Sequence, residues 1–201
     1  MSSLFRFRTK RHQPGFRRLL SLKKYEVHAM LVTTRLLDKL CSLKEGVNRP
    51  VLESVLTLAL EIAHEGRGGT KVGTIFMVFD AEEVLKRSKC LIYDPLLGHP
   101  APLKSIDNAN MRETVKELAR LDGAFVVSDE GIVLSACRYL NASSEGINLV
   151  LGLGSRHMAA ASMTRETQAI AVVVSESSVV RVFAKGELIE ELVPEIWIRS
   201  R

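Results

Sequence analysis

The sequence predicts a single α/β domain with a mixed β-sheet packed by helices. Three observations carry this. The chain has 201 residues, 46% hydrophobic and 25% charged, enough to bury one substantial core. Stretches with apolar residues at helical spacing interleave with short β-branched runs, without strict βαβ alternation. No internal repeat or low-complexity tract interrupts them.

The elements follow in order. From Tyr25 to Cys41, Val27, Met30, Leu31, Leu37 and Leu40 fall largely at helical spacing, until "KEGVNRP" breaks the pattern. "VLESVLTLALEIAHEG" predicts a second helix with Leu52, Val55, Leu56, Ala59, Ile62 and Ala63 on one face, closed by Gly66. "GRGGTKVG" reads as a connection. "VGTIFMVF" (72–79) is a buried strand, and "DAEEVLKRS" a short helix capped by Asp80. "YDPLLGHPAP" (93–102) is turn-rich and irregular. "NMRETVKELARL" (110–121) is a helix with a Met111, Val115, Leu118 stripe, and Asn110 with Glu113 resembles a capping box. Strands at 124–128 and 132–136 flank the turn Asp129-Glu130-Gly131. After "GINLVLGLG" a helix runs over 156–166, followed by a strand pair at 169–175 and 179–185. A short acidic helix and an edge strand, "EIWIRS", end the chain.

Composition excludes several classes. The longest stretch without Asp, Glu, Lys or Arg, from Gly146 to Ser155, is about half of what a membrane-spanning helix needs. The N-terminus lacks a signal-peptide pattern. Cys41, Cys90 and Cys137 are scattered, without a CxxC pair, which predicts reduced thiols in a cytosolic protein. Residues 1–24 hold eight basic residues and no acidic one. The remainder has 20 basic against 23 acidic residues, a net of −3. The basic character therefore belongs to an N-terminal arm, which is either a solvated extension or a contact for nucleic acid. Without that arm nothing suggests a nucleic-acid-binding domain.

Three stretches carry candidate chemistry. "GLGSRH" (152–157) leads an apolar run through a glycine turn into a small-residue helix. A helix start offers free N–H groups and partial positive charge, and Arg156 and His157 add donors suited to phosphate. The turn matches neither the Walker A loop nor the dinucleotide fingerprint. The alternative reading of Ser155, Arg156 and His157 is a helix cap with surface side chains. In "LDGAF" (121–125), Asp122 lies between a helix and a buried strand, with bulk-free Gly123 and Ala124 beside it. It reads as a hard-metal ligand or a base for a hydroxyl, or as an ordinary turn aspartate. In "VVVSESS" (172–178), Glu176 beside Ser175 reads as a second metal carboxylate or as part of a β-turn. Together the three describe a metal-nucleotide site for phosphoryl or nucleotidyl transfer.

"VGTIFMVFD", "LDGAFVVSDEGIVLSACRYL" and "GLGSRHMAAASMTRETQAIAVVVSES", in that order over residues 66–185, resemble the diadenylate cyclase domain family. The resemblance implies synthesis of cyclic di-AMP from two ATP with release of two pyrophosphates, using Mn²⁺ or Mg²⁺. It implies that Asp122 binds metal and helps activate the ribose 3′-hydroxyl, with Glu176 a second metal ligand. Gly123 and Ala124 would line the nucleotide; Gly154, Ser155, Arg156 and His157 would hold the phosphates, with Ser175 also at the ATP site. Asp122, Arg156 and His157 are thus the expected catalytic residues. Two face-to-face subunits would complete the reaction, so self-association is expected. The family's Arg-His-Arg motif ends here in Met158, a loss of about 1.5–3 kcal/mol if that arginine touches the ligand. The expected organisation is a basic arm (1–24), a helical part (25–65) and a catalytic core (66–201), in a stand-alone cytoplasmic form. A nucleotide-binding sensor of the same fold, lacking turnover, is the alternative.

Overall fold

In the computed structural model, which describes residues 34–44, 46–149 and 152–194, the β-branched and aromatic run Thr74–Val78 forms strand β1, buried along its whole length. A strand buried on both faces needs cover on two sides. Helix α1 (34–43) and helix α2 (Arg49–Glu65) lie on one side. Asn48 caps α2 by accepting from the Val51 N–H, Pro50 occupies its first turn, and Gly66 ends it at φ 63°. The six residues expected on its inner face are all buried.

The chain continues through α3 (Ala81–Lys86), β2 (Ser88–Cys90), a 3₁₀ turn (Ala101–Lys104), α4 (Ala109–Leu118), β3 (Ala124–Val127) and β4 (Val133–Leu140). Helix α5 (Ser155–Glu166), β5 (Ile170–Val174), β6 (Val180–Ala184) and β7 (Glu187–Leu192) follow. The sheet has seven strands in the order β2-β4-β3-β1-β5-β6-β7. β1 and β3 are parallel, and the other neighbours pair antiparallel.

Alternation along the strands sorts the core into two layers. Phe76, Val78, Phe125 and Val172 face α1, α2 and α4. Ile75, Met77, Ala124, Val126 and Phe183 face α3 and α5. Phe76 and Phe125 are register partners on β1 and β3, and their rings stack at 5.1 Å. The predicted mixed sheet packed by helices is the observed architecture.

Four local expectations are corrected. Asp80 precedes α3 in a left-handed conformation (φ 48°) and makes no side-chain cap; its carboxylate accepts from the Gln168 N–H instead. Asn108, not Asn110, caps α4, accepting from the Asn110 and Met111 N–H groups. The acidic segment Glu187–Leu192 is strand β7 rather than a helix, and β2 was not expected at all. The arm 1–24, the first part of the 25–41 helix and the "EIWIRS" strand lie outside the described residues. Among the described residues no helix is long and apolar enough to cross a membrane.

Candidate active site

Gly123 fixes where the acid goes. It sits at φ 110°, and a Cβ there would meet the backbone carbon of Cys137 at 2.5 Å and the Arg138 nitrogen at 2.7 Å. Cys137 itself is left-handed (φ 55°), where the β3–β4 register slips between Ala124 and Val126. A bulge in β4 thus nests against a residue with no side chain. This interlock places Asp122 at the start of β3 with its side chain 88% exposed.

Helix α5 supplies the opposite wall. His157 and the run from Ala160 to Thr164 are buried. Ser155, Met158, Ala159 and Ser162 line an open cleft of about 450 Å³. Asp122, Gly123, Ala124 and Arg156 border the same cleft. Gly154 caps α5 without a side-chain acceptor, leaving its first turn to a ligand or to solvent.

Arg156 joins the two acids. Its Nη1 donates to Glu176 Oε1 at 2.8 Å, and its Nη2 to Asp122 Oδ1 at 3.5 Å. All three side chains are at least one-third exposed, so these pairs add little stability. Their value is positional: one guanidinium holds two hard oxygen donors, Asp122 in the cleft lining and Glu176 outside it. Among the described residues no third histidine, cysteine, aspartate or glutamate joins them as a metal cage. Mg²⁺-type sites use one or two carboxylates plus substrate phosphates, so this donor set fits.

Of the candidates, Gly154, His157, Ser175 and Glu176 are not part of the cleft lining. Ser175 serves a turn, its N–H bonded to the Val179 carbonyl and its hydroxyl 2.9 Å from that of Ser177. His157 lies beneath the first turn of α5, 7% exposed, against Phe183 and with Nε2 3.3 Å from Arg181 Nη1.

Burial, with the guanidiniums of Arg181 and Arg156, pushes the His157 imidazole below the usual histidine range. Its neutral form is favoured in the fold, while in the unfolded chain it takes up a proton below about pH 6.5. The stabilisation is therefore complete above that pH and is lost as pH falls toward the lowered value. Urea midpoints at pH 7.5 and pH 5 should show this loss, and His157→Gln should reduce it; an equal loss in the variant would contradict the assignment.

The sequence reading missed Gly73, taken as part of a connection. A Cβ there would meet Arg156 Nη1 at 2.7 Å and Glu176 Cγ at 3.3 Å, so the guanidinium occupies the space a side chain would fill. Arg138 and Tyr139 also line the cleft. The Arg138 guanidinium is committed to Ser88, the Leu85 carbonyl and Cys90, holding β2 and α3 to β4 as a fixed wall. The only signal was a cation beside an aromatic at the end of a buried run.

The cleft of this α/β domain brings together a helix start, an arginine and a carboxylate, groups whose chemistry suits phosphate and a divalent ion. Residues 61–188 match the family described as DisA bacterial checkpoint controller nucleotide-binding, DAC for short. The chain belongs to this family. It is 44% identical over 164 residues to a diadenylate cyclase of Methanocaldococcus jannaschii, covering 81% of this chain and 52% of that one. It is 43% identical over 149 residues to a diadenylate cyclase of Haloferax volcanii, covering 73% and 54%. The chain thus spans about half the length of these relatives. A solved structure of a hypothetical membrane spanning protein from Bacillus cereus aligns with a TM-score of 0.50 at 16% identity, covering 84% of this chain and 92% of that one. That likeness bears on the fold alone.

Proposed function

We propose that this chain is a diadenylate cyclase, condensing two ATP into cyclic di-AMP with release of two pyrophosphates. One observation carries the reading: Arg156, at the start of α5 in the cleft lining, reaches both Asp122, also in the lining, and Glu176. The two relatives named diadenylate cyclases support it.

In this reading the cleft holds one ATP. Ser155, Arg156 and the start of α5 bind its phosphates, and Gly123 and Ala124 leave room for the nucleoside. Arg156 exchanges a carboxylate for a phosphate, freeing Asp122 and Glu176 to hold Mn²⁺ or Mg²⁺. Such an ion, when bound, neutralises phosphate charge and makes a nearby hydroxyl more acidic. Asp122 helps activate the ribose 3′-hydroxyl, whose oxygen bonds to the α-phosphorus of the facing ATP while the bond to pyrophosphate breaks. The hydroxyl proton passes toward the carboxylate. One cleft holds one nucleotide and the product joins two, so two chains meet face to face. His157 acts from beneath the phosphates and Ser175 from the turn that carries Glu176. The catalytic core falls within residues 66–201, and the segment 25–65, with its helices at 34–43 and Arg49–Glu65, flanks it. The protein works in the cytoplasm and does not act on nucleic acid; any such contact is confined to the arm 1–24.

Met158 on the cleft wall, where an arginine is usual, favours a second reading, a sensor that binds nucleotide without turnover. Incubation with ATP and Mn²⁺ or Mg²⁺, followed by mass detection of cyclic di-AMP, separates the two. Product that disappears on chelation of the metal is expected. Bound ATP with no product would establish the sensor.

A further inference from the structure

His157 is the first buried residue of α5, and the niche that receives it is made by two strands that follow the helix. Along β6, Val180, Val182 and Ala184 face the α1, α2 and α4 layer, while Phe183 faces α5. Alternation puts Arg181 on the α5 side with Phe183. The His157 ring tilts against Phe183 at 6.1 Å, and Arg181 Nη1 approaches Nε2 at 3.3 Å. Arg181 is in turn the register partner of Glu191 on β7, and its Nε donates to Glu191 Oε2 at 2.7 Å. Its side chain is only 13% exposed. A largely covered guanidinium aimed at an imidazole and held by one carboxylate is a fixed arrangement rather than a surface pair.

A guanidinium is always protonated and can only donate. The Nε2 atom facing it must therefore be bare, and the ring proton sits on Nδ1. We infer that Arg181, set by Glu191, is a positioning residue that holds His157 as the neutral Nδ1–H tautomer and thereby fixes the start of α5, where Ser155 and Arg156 meet the phosphates. This rests on the nucleotide reading of the cleft. Met158 puts no charge at the third position of the motif, so orientation of this turn depends on contacts from the sheet. The groups acting on His157 are Arg156 and the Gly154 backbone from its own end of the helix, Arg181 and Phe183 from β6, and Glu191 from β7; its Nδ1 is buried and makes no hydrogen bond to another described residue.

The test labels the full chain with ¹⁵N-histidine and assigns His157 by the signal lost in His157→Gln. At pH 7 the wild type should show a neutral ring with Nδ1 protonated and Nε2 bare. Arg181→Met should move the proton to Nε2 in a substantial fraction of molecules and lower cyclic di-AMP formation on the order of 10- to 100-fold. Arg181→Lys should keep the wild-type ring signature and recover most of the rate. A purely structural arginine would lower the melting temperature without moving the tautomer. Should Arg181→Met fail to fold, Glu191→Gln reads the same chain of contacts from a half-exposed position, with a smaller shift in the same direction. A wild-type ring protonated on Nε2, or a signature and rate unchanged in the folded variants, would overturn the inference. If the wild type makes no cyclic dinucleotide, the cyclase reading fails while the ring signature still decides the tautomer.

Discussion

Asp122→Asn is expected to reduce cyclic di-AMP formation on the order of 10²- to 10³-fold, the scale of losing one group that meets developing charge. The amide keeps the shape of the carboxylate but not its charge. It can neither accept the hydroxyl proton nor hold a divalent ion as well. Stability should barely move, because the side chain is 88% exposed and its contact with Arg156 is long, at 3.5 Å. The measurement is kcat/KM for ATP beside a urea midpoint for the same preparation. A retained rate would remove Asp122 from the mechanism. A lost rate with an equally lost fold would make it structural.

Gly123→Ala should act through the backbone. The added methyl would lie 2.5–2.8 Å from main-chain atoms of Cys137 and Arg138, at a φ of 110° that alanine rarely adopts. Unlike a flexible side chain, the β4 bulge cannot step aside without parting β3 from β4. A loss of about 3 kcal/mol or more is expected, combining backbone strain with overpacking. Urea unfolding monitored by circular dichroism checks this. A variant within about 0.5 kcal/mol of wild type would show that the bulge yields. Activity should fall further than stability explains, since Asp122 is the next residue and moves with the strand.

These two neighbours show what the sequence could and could not disclose. Asp122 by itself read equally as a site acid and as an ordinary turn aspartate; its combination with the Arg156-His157 and Glu176 stretches singled it out. Why Gly123 must be glycine was invisible: the atoms it would strike belong to Cys137 and Arg138, brought there by strand pairing. Gly73 is a similar case, since a glycine before a strand looks like a connection until Arg156 is seen in the space beside it. The start of α5 was legible through its glycine turn and small residues. The buried place of His157 was not legible: Ala160 to Thr164 are buried without a break, so no stripe in the spacing marks an inner face, and contacts from the sheet decide it.

Elsewhere tertiary pairing overrode local preference. "GELIEEL" has helix-favouring composition, yet it forms an edge strand because Glu191 sits opposite Arg181 and Ile189 packs on the core. β2 has only three residues, Ser88 to Cys90, and no apolar run to announce it; it exists as a partner for the end of β4. Asp80 belongs to a left-handed pair with Phe79, and its carboxylate answers a backbone group 88 residues away. Long periodic elements, by contrast, were readable throughout. The face of α2 and the β1 strand are where the sequence placed them, because burial of a stripe or a run is a local property.

The measurement that bears most directly on the proposed chemistry is stoichiometry. Purified chain is mixed with ATP and Mn²⁺, and cyclic di-AMP, pyrophosphate and inorganic phosphate are quantified in the same sample. The expected result is two pyrophosphates for each cyclic di-AMP, no inorganic phosphate, and a specific rate that rises with protein concentration as chains pair. Release of inorganic phosphate, or ATP bound without any cyclic dinucleotide, would contradict a cyclase built from two such clefts.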